Sequence, residues 1–451
     1  MKLKKMAAFA CTAIMLTQSV PCFASAQETE MRDMTTMELV RDMGIGINLG
    51  NTYESCGDWI AQWGDGTPES YETAWGSPVI TQKMIQGYAD EGFGVLRVPV
   101  AWSNMMGEDY TISQEYLGAV REVVDWALDA DLYVIMNLHY DSGWLEHLPT
   151  EKESCMQKYA TIWTQVSEEF KNYGDHLIFE SQNEELGWSS LWNRWGGTEG
   201  KAESYALVNE VNQTFVDIVR SSGGNNPKRH LLISGYNTDI ELTCDALFTM
   251  PEDPENRCAV SVHYYTPADF AILEEDTDWG KARSTWGTEA DFAELAKNMN
   301  LMKTTFVDHG IPVIIGEYGC PKQNKEEDSV RLFLTSVCRE AYAQQLCPVL
   351  WDITELHYDR ETCQLYDPAL KAAFQEIVNS GSDPDPDSVR VAGDVDNDGE
   401  LSIADLILLQ KWLLAVPDTK LADWKAADLQ EDDRLTIFDW CLMKQMLIQK
   451  N

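Results

Sequence analysis

Short apolar runs alternate with amphipathic segments along most of the chain. Eight of these runs are almost continuously apolar, which is typical of parallel strands that are buried on both faces. They lie at residues 44–50, 95–100, 133–139, 177–183, 231–236, 259–265, 312–319 and 348–353. Segments between them, such as 115–130 and 156–174, repeat apolar residues at helical spacing. This alternation predicts an α/β fold, the closed parallel (β/α)8 or TIM barrel.

A doubly wound open sheet is the alternative fold. Such sheets bind phosphates at a glycine-rich turn between the first strand and its helix. The first run, "GIGINLG" at 44–50, has neither the spacing of that turn nor a helix directly after it. The barrel is therefore the preferred prediction.

The pattern changes at both ends of the chain. At the start, the basic "MKLKK" precedes the apolar "MAAFACTAIML", and "ASA" ends at Ala26. This order is typical of a secretory signal peptide, which we predict at residues 1–26. No later run is long and apolar enough to cross a bilayer, so we expect a secreted protein, extracellular or held at the cell surface.

A change in amino-acid composition divides the rest of the chain. Residues 380–388, "SGSDPDPDS", alternate Asp and Pro and carry no apolar anchor. Such a segment favours an extended linker. It separates a predicted barrel domain at 27–379 from a small domain at 389–451.

Charge and cysteine content limit the classes of partner and bond. The net charge is −40 over 451 residues. This argues against nucleic acid and against anionic membranes as partners, although solubility alone would also explain it. Of eleven cysteines, Cys11 and Cys22 lie in the leader, which leaves nine without metal-type spacing. A core of this size needs no disulfides, so we expect mostly buried, unpaired thiols.

Polar residues stand at or near the ends of seven of the eight predicted strands. The carboxyl ends of barrel strands meet at one mouth, where active sites of this fold lie. The polar set is Asn48, Asn51, Arg97, His139, Asn183, Glu184, His263, Tyr265, Glu317, Tyr318, Trp351 and Asp352. Two facing acids, Glu184 and Glu317, suggest glycoside hydrolysis without a cofactor. A separation of about 5 Å would indicate retention of the anomeric configuration, and a wider gap inversion.

Seven motifs in order resemble glycoside hydrolase family 5, the cellulase family of the Asn-Glu barrel clan, over about residues 37 to 375. They are "GINLGNTYES", "GFGVLRVPVAW", "NLHYD", "FESQNEE", "SVHYYTP", "IIGEYG" and "LWDI". The resemblance implies that Glu184 is the general acid/base and Glu317 the nucleophile. It also implies that Arg97 and Tyr265 flank the nucleophile and keep it ionised, and that His263 orients the acid/base.

The same resemblance implies how the sugar at the cut bond is held. His139 and Asn183 would bind it, with the Asn at the 2-hydroxyl, and Trp351 would lie beneath it. Two positions depart from the family pattern: Glu185 stands where Pro is frequent, and Tyr140 where a second His is common.

Two neighbours of Glu184 are rivals for the acid role. Glu180 lies within the predicted strand, so we expect it to anchor the barrel. Glu185 is expected to face outward. Glu184 itself has fewer partners than the nucleophile, and we expect partial desolvation by substrate to keep its pKa raised so that it begins protonated.

Tryptophans near the predicted mouth indicate the substrate. Flat aromatic rings stack on the apolar faces of sugars. The set is Trp59, Trp63, Trp75, Trp102, Trp144, Trp188, Trp192, Trp195, Trp279 and Trp286, of which Trp102 and Trp75 also suit core packing. A long cleft favours an endo-β-1,4-glucanase. A β-mannanase, xyloglucanase or mixed-linkage glucanase remains open, as does a non-catalytic carbohydrate-binding subunit.

The C-terminal domain contains a duplication with a repeat of 34 residues. Its first copy has oxygen-bearing side chains at alternate loop positions, a Gly at the turn and a closing carboxylate, which is the spacing of a Ca²⁺ loop. The predicted ligands are Asp394, Asp396, Asp398, Asp405 and, through its backbone carbonyl, Glu400.

This domain resembles a type I dockerin, which implies a cohesin partner on a cellulosome scaffold. In the second copy, Asp428, Asp432 and Asp439 are the predicted Ca²⁺ ligands. Gln430 and Asp433 depart from the pattern there, because they replace an acid or Asn and the turn Gly. The faces around residues 403–404 and 437–438 are predicted to bind the cohesin.

Overall fold

The chain forms two compact units, Met1–Gly381 and Ser382–Asn451. The computed structural model describes residues 31–187, 191–195, 197–381, 392–396, 401–414, 416–417, 419–422, 424–430 and 434–450. The predicted leader, most of the predicted linker, and Trp188, Asp398, Glu400, Asp432 and Asp433 lie outside these residues.

Eight parallel strands close into a barrel in chain order. They are β1 Gly46–Asn48, β2 Val95–Val98, β3 Tyr133–Asn137, β4 Leu177–Glu180, β5 Leu231–Asp239, β6 Cys258–Tyr264, β7 Val313–Tyr318 and β8 Cys347–Leu350. Closure is made where Gly46 of β1 pairs with Val349 of β8. The predicted barrel is confirmed, and an open sheet is excluded. A two-stranded antiparallel sheet, β9 Tyr358–Asp359 and β10 Gln364–Leu365, follows β8.

Helices follow each barrel strand. The helices of the first unit are α1 Thr36–Asp42, α2 Asp58–Trp63, α3 Pro68–Glu72, α4 Gln82–Asp90, α5 Gln114–Asp129, α6 Lys152–Glu169, α7 Lys201–Ser221, α8 Ile240–Thr243, α9 Ala268–Ala271, α10 Glu289–Thr305, α11 Glu327–Ala343 and α12 Pro368–Gly381, with 3₁₀ turns at Asp141–His147, Asn226–Lys228 and Val307–His309. Side-chain caps fix several starts; Ser113 caps α5, and Thr288 forms a capping box with Asp291 on α10.

The barrel interior is apolar at its amino-terminal end and polar at the mouth. Val95, Ile178 and Ala259 are buried there with residues of α1. Because side chains alternate along a strand, the residue two positions on points to the same interior. Arg97 stands in that position on β2 and Glu180 on β4, so the alternation carries charged groups into the mouth.

In the second unit, the described residues form two helices, α13 Ile403–Leu413 and α14 Ile437–Lys450. Its small core includes Val395, Leu401, Leu409, Ala427 and Met443. The indole of Trp440 donates to the Leu406 carbonyl at 3.1 Å and joins the two helices. The predicted α-helical domain is confirmed.

The cysteines agree with the prediction. All nine beyond the leader are free, and six of them are buried. Among the described residues, no helix combines the length and hydrophobicity that crossing a bilayer requires.

Candidate active site

A buried arginine organises the mouth of the barrel. Arg97 donates to Glu317 and to Glu180, each at 2.7 Å. It also donates to the amide oxygens of Asn48 and Asn183, each at 3.0 Å. All three guanidinium nitrogens are used, so a fixed cation joins β1, β2, β4 and β7 at one point.

Glu317 is held from two sides. Arg97 binds one carboxylate oxygen, and the Tyr265 hydroxyl donates to the other at 2.9 Å. Burial and the Glu317 charge raise the pKa of Tyr265 well above its ordinary value, so the phenol keeps its proton. Two donors, one on each oxygen, fix the orientation of the Glu317 carboxylate.

Glu184 faces Glu317 across the mouth. His263 Nδ1 lies 2.9 Å from a Glu184 oxygen and 3.6 Å from a Glu317 oxygen. An oxygen of Glu184 and one of Glu317 lie within 4.8 Å of each other. The Glu184 side chain is 39% exposed, whereas that of Glu317 is 7% exposed. Of the two carboxylates, Glu184 therefore has the better access to an incoming ligand.

The Glu184 pKa is lowered in the ligand-free structure, and the rise expected on desolvation by substrate stays a prediction. Desolvation does push this pKa upward, but the hydrogen bond and charge of His263, with the charge of Arg97, outweigh it. The Glu184 pKa therefore lies below its ordinary value. The distance between His263 and the Glu184 carboxylate could not be predicted from the sequence.

The two rivals of Glu184 have different positions. Glu180 is fully buried and accepts from Arg97 and, at 2.6 Å, from Ser261, as expected of a barrel anchor. Glu185 was expected to face outward, and this is wrong. It is 4% exposed, and it accepts from Asn183 at 3.2 Å. The chain turns back toward the barrel after Glu184, which carries the Glu185 side chain inward.

The predicted sugar-binding residues lie together beside the carboxylates. The rings of His139 and Trp351 are parallel within 7°, with centroids 5.9 Å apart. Burial, with the charges of Arg97 and His263, lowers the pKa of His139 well below its ordinary value, so this ring is neutral. A neutral imidazole and an indole face can bind hydroxyls and C–H groups without another charge.

Two site residues were missed by the sequence reasoning. Asn237 donates to the Glu184 carbonyl at 2.6 Å, and Thr238 lines the same cavity as Glu184 while its hydroxyl donates to the Asn237 carbonyl at 2.8 Å. Both follow the apolar run of β5, where the backbone has positive φ, 51° at Asn237 and 46° at Thr238. Asn is enriched among residues with positive φ, so an Asn directly after the apolar run was the available signal in the sequence.

The family model for cellulases, glycosyl hydrolase family 5, matches residues 61–355. The chain belongs to this family. The model for the type I dockerin domain matches residues 392–448. Both resemblances inferred from motifs are confirmed, and the chain is a glycoside hydrolase that carries a dockerin.

Alignments with individual relatives cover most of this chain. Endoglucanase B of Clostridium cellulovorans is 32% identical and covers 88% of this chain and 87% of its own. A xyloglucan-specific endo-β-1,4-glucanase of Bacteroides ovatus is 34% identical over 80% of this chain and 74% of its own. A solved broad-specificity endoglucanase from an uncultured bovine rumen ciliate superposes with a TM-score of 0.69 at 38% identity, over 77% of this chain and 98% of its own.

The tryptophans of this family 5 barrel divide into exposed and packed groups. Trp59, Trp63, Trp195 and Trp279 are exposed. Trp102 is buried, which agrees with its suitability for core packing. Trp286 was expected at the cleft but is buried against Phe292 and Phe333, because its loop folds onto α10 and α11.

In the first acidic loop of the dockerin, three aspartate side chains converge. Oxygens of Asp394, Asp396 and Asp405 lie within 4.8 Å of one another. Carboxylate oxygens at this spacing are the donors that Ca²⁺ takes, so the described ligands fit the ion. The backbone amides of residues 395, 396 and 402 donate to Asp405 and hold it in place.

The second repeat copies this arrangement in part. Asp439 accepts from the amide of Gln430 at 3.2 Å and from that of Thr436 at 2.8 Å, as Asp405 does 34 residues earlier. With Asp432 outside the described residues, Asp428 and Asp439 are the predicted ligands that can be placed there.

Proposed function

We propose that this protein is a secreted endo-β-1,4-glucanase that cleaves cellulose-type glucans with retention and attaches to a cellulosome through its dockerin. The observation that carries the proposal is the approach of Glu184 and Glu317 to within 4.8 Å. Retaining glycosidases place their carboxyl groups about 5–5.5 Å apart, and inverting ones about 6.5–9.5 Å apart. The short separation supports retention.

In the first step, a Glu317 oxygen attacks the anomeric carbon while Glu184 gives its proton to the leaving glycosidic oxygen. The C–O bond breaks, and a covalent glycosyl-enzyme forms. Arg97 and Tyr265 fix the attacking carboxylate through their hydrogen bonds. In the second step, Glu184 takes a proton from water, which attacks the same carbon and releases Glu317.

Glu184 must carry a proton when the bond is cut, although its pKa is low in the free protein. A bound glucan excludes water from the half-exposed Glu184 side chain, and desolvation favours the neutral acid. Substrate binding thus raises the Glu184 pKa at the moment when the proton is needed.

A second candidate function is hydrolysis of a branched β-glucan such as xyloglucan. A cavity of about 350 Å³ opens beside Glu184, between the loops after β5 and β6. Trp195, Ile272 and Asn298 line it. A cavity on the acid/base side has room for a sugar branch on the leaving group, and the relative from Bacteroides ovatus is named for xyloglucan. Mannan and mixed-linkage glucan are also candidate substrates of the cleft.

In the dockerin, Asp394, Asp396 and Asp405 would bind Ca²⁺, with residues 398 and 400 completing the loop. The ion would supply the positive charge that three neighbouring carboxylates lack and so fix the loop at the start of α13. The cohesin would bind the faces that expose Ile403 and Ile437. A cellulosome partner supports an extracellular location.

The test measures reducing sugars released from carboxymethylcellulose, xyloglucan, mannan and mixed-linkage glucan. Glu317→Gln and Glu184→Gln should each lower kcat by at least about 10³-fold, while Glu376→Gln on the exposed face of α12 serves as the matched control. Proton NMR of the first anomer formed tests retention. Glucan binding without sugar release by the wild type would instead support a non-catalytic binding subunit.

A further inference from the structure

Glu185 is a buried acid next to the reacting groups, and the proposed hydrolysis gives it no role. It follows Glu184 directly and is 4% exposed. One of its oxygens accepts from the Asn183 amide nitrogen at 3.2 Å, and the other is buried without a hydrogen-bond partner in the described part of the chain. Such a buried polar group is costly unless it contributes to function or to a network.

The hydrogen bonds of Asn183 define its orientation. Arg97 has only donors, so the atom of Asn183 that faces it must be the amide oxygen. The amide nitrogen then points to Glu185, which accepts one of its two hydrogens. Among the residues that the structure describes, no acceptor takes the second hydrogen, which can therefore be donated to a ligand. Glu317, Arg97, Asn183 and Glu185 thereby form one continuous row of hydrogen bonds.

The charges around this row favour a neutral Glu185. Glu180, Glu184 and Glu317 already share the mouth, where Arg97 pairs with Glu180 and Glu317. Burial, together with the charges of Glu184 and Glu317, raises the pKa of Glu185 to about 8. A protonated carboxyl still offers its carbonyl oxygen to Asn183, so the contact persists without another negative charge in the mouth.

We propose that Glu185 is a positioning residue for hydrolysis, which holds the Asn183 amide between Arg97 and the sugar at the cut bond. This proposal rests on the proposed function. It makes Glu185, which stands where a proline is frequent in related sequences, the support that keeps Asn183 in one orientation.

Glu185→Leu removes the acceptor at similar volume and should lower kcat by about 10-fold to 100-fold while KM changes by less than about threefold, because the Asn183 contact matters most in the transition state. Glu185→Gln keeps a carbonyl acceptor and should recover most of that loss. Thermal unfolding of each variant shows whether the fold is intact, and an aryl β-cellobioside keeps slow variants measurable.

The deciding experiment is a double-mutant cycle. If Glu185 acts through Asn183, then Glu185→Leu should change kcat/KM by less than about threefold in an Asn183→Ala background. Losses that multiply in the double variant would overturn the proposal, and so would a Glu185→Gln variant as slow as Glu185→Leu. A wild type that releases no sugar from any β-glucan would instead reject the proposed function itself.

Discussion

Two clusters of carboxylates, one in each unit, are neutralised in different ways. In the barrel, Glu180 and Glu317 both bind Arg97, a cation that belongs to the chain. In the dockerin, Asp394, Asp396 and Asp405 converge, and backbone amides hold Asp405. The barrel cluster is therefore complete once the chain folds. The dockerin cluster, in our proposal, is completed by Ca²⁺ from solution.

The difference separates catalysis from attachment. A site with its own cation keeps its geometry whatever the surrounding metal concentration. A site that takes its cation from solution folds only where that ion is present, because binding energy contributes to folding. The two units should consequently respond to opposite perturbations, and this can be tested one unit at a time.

The largest effect is expected from removing the cation of the barrel. Arg97→Met leaves Glu180 and Glu317 buried without their counterion, which should lower the free energy of unfolding by about 3–5 kcal/mol. We expect kcat/KM to fall by at least about 10³-fold, since Glu317, the proposed nucleophile, also loses its orientation. Urea unfolding and hydrolysis of carboxymethylcellulose measure the two effects.

Arg121→Met is the matched control, because Arg121 pairs with Glu169 at the exposed surface. Its effect on stability should stay below about 1 kcal/mol. An Arg97→Met enzyme with normal turnover would show that the barrel cluster does not depend on its own cation.

Removal of calcium should affect the other unit. With EDTA, peptides from α13 and α14 of the full chain should exchange their amide hydrogens at least about 100-fold faster, because bound ion contributes about 2.7 kcal/mol at 100 times its Kd. Hydrolysis of soluble glucan should change by less than about twofold over the same treatment. Excess Ca²⁺ must restore the slow exchange. Equal protection with and without EDTA would contradict the Ca²⁺ proposal.

The barrel and most residues at its mouth were predictable, because both depend on where each strand lies in the sequence. An apolar run fixes where a strand ends, and the strand ends of a barrel converge, so Arg97, Glu184 and Glu317 could be grouped before any coordinates. Glu180 was placed correctly for the same reason, since it lies inside the strand. The motifs of the family then supplied the roles, which remain predictions.

The remaining errors lie beyond the strand ends, where the alternation of a strand no longer determines the direction of a side chain. Glu185 lies beyond the end of β4, and the loop that turns it inward has no periodicity. Asn237 and Thr238 follow the apolar run of β5 with positive φ, so no alternation indicated that Asn237 contacts Glu184 or that Thr238 lies beside it. Trp286 shows a different limit, because the same indole suits a sugar or a core, and only tertiary packing distinguishes them.

A smaller effect should distinguish the two proposed calcium loops of the dockerin. Asp405→Asn keeps one acceptor oxygen but removes the charge, and should weaken Ca²⁺ binding by at least about tenfold. Asp439→Asn should have less effect, because Gln430 and Asp433 already depart from the ligand pattern of that loop. Calorimetric titration of Ca²⁺ into each full-length variant measures both.

The two substitutions control for each other, because Asp405 and Asp439 accept equivalent backbone amides at the starts of α13 and α14. Any loss of helix capping is therefore matched, and the difference between the variants reports the metal. Equal losses would show that the second loop binds Ca²⁺ as fully as the first.

The smallest effect concerns His263, which lies beside both carboxylates of the mouth. Its hydrogen bond and charge lower the Glu184 pKa against the upward push of desolvation. The kcat/KM profile falls with rising pH as Glu184 loses its proton in the free enzyme. His263→Asn removes the lowering influence, so the Glu184 pKa rises and this descending limb should move to higher pH. His309→Asn, at an exposed turn, should leave the limb in place. A limb that stays or moves to lower pH in His263→Asn would mean that Arg97 alone balances the barrel carboxylates, which would make the contrast with the dockerin sharper still.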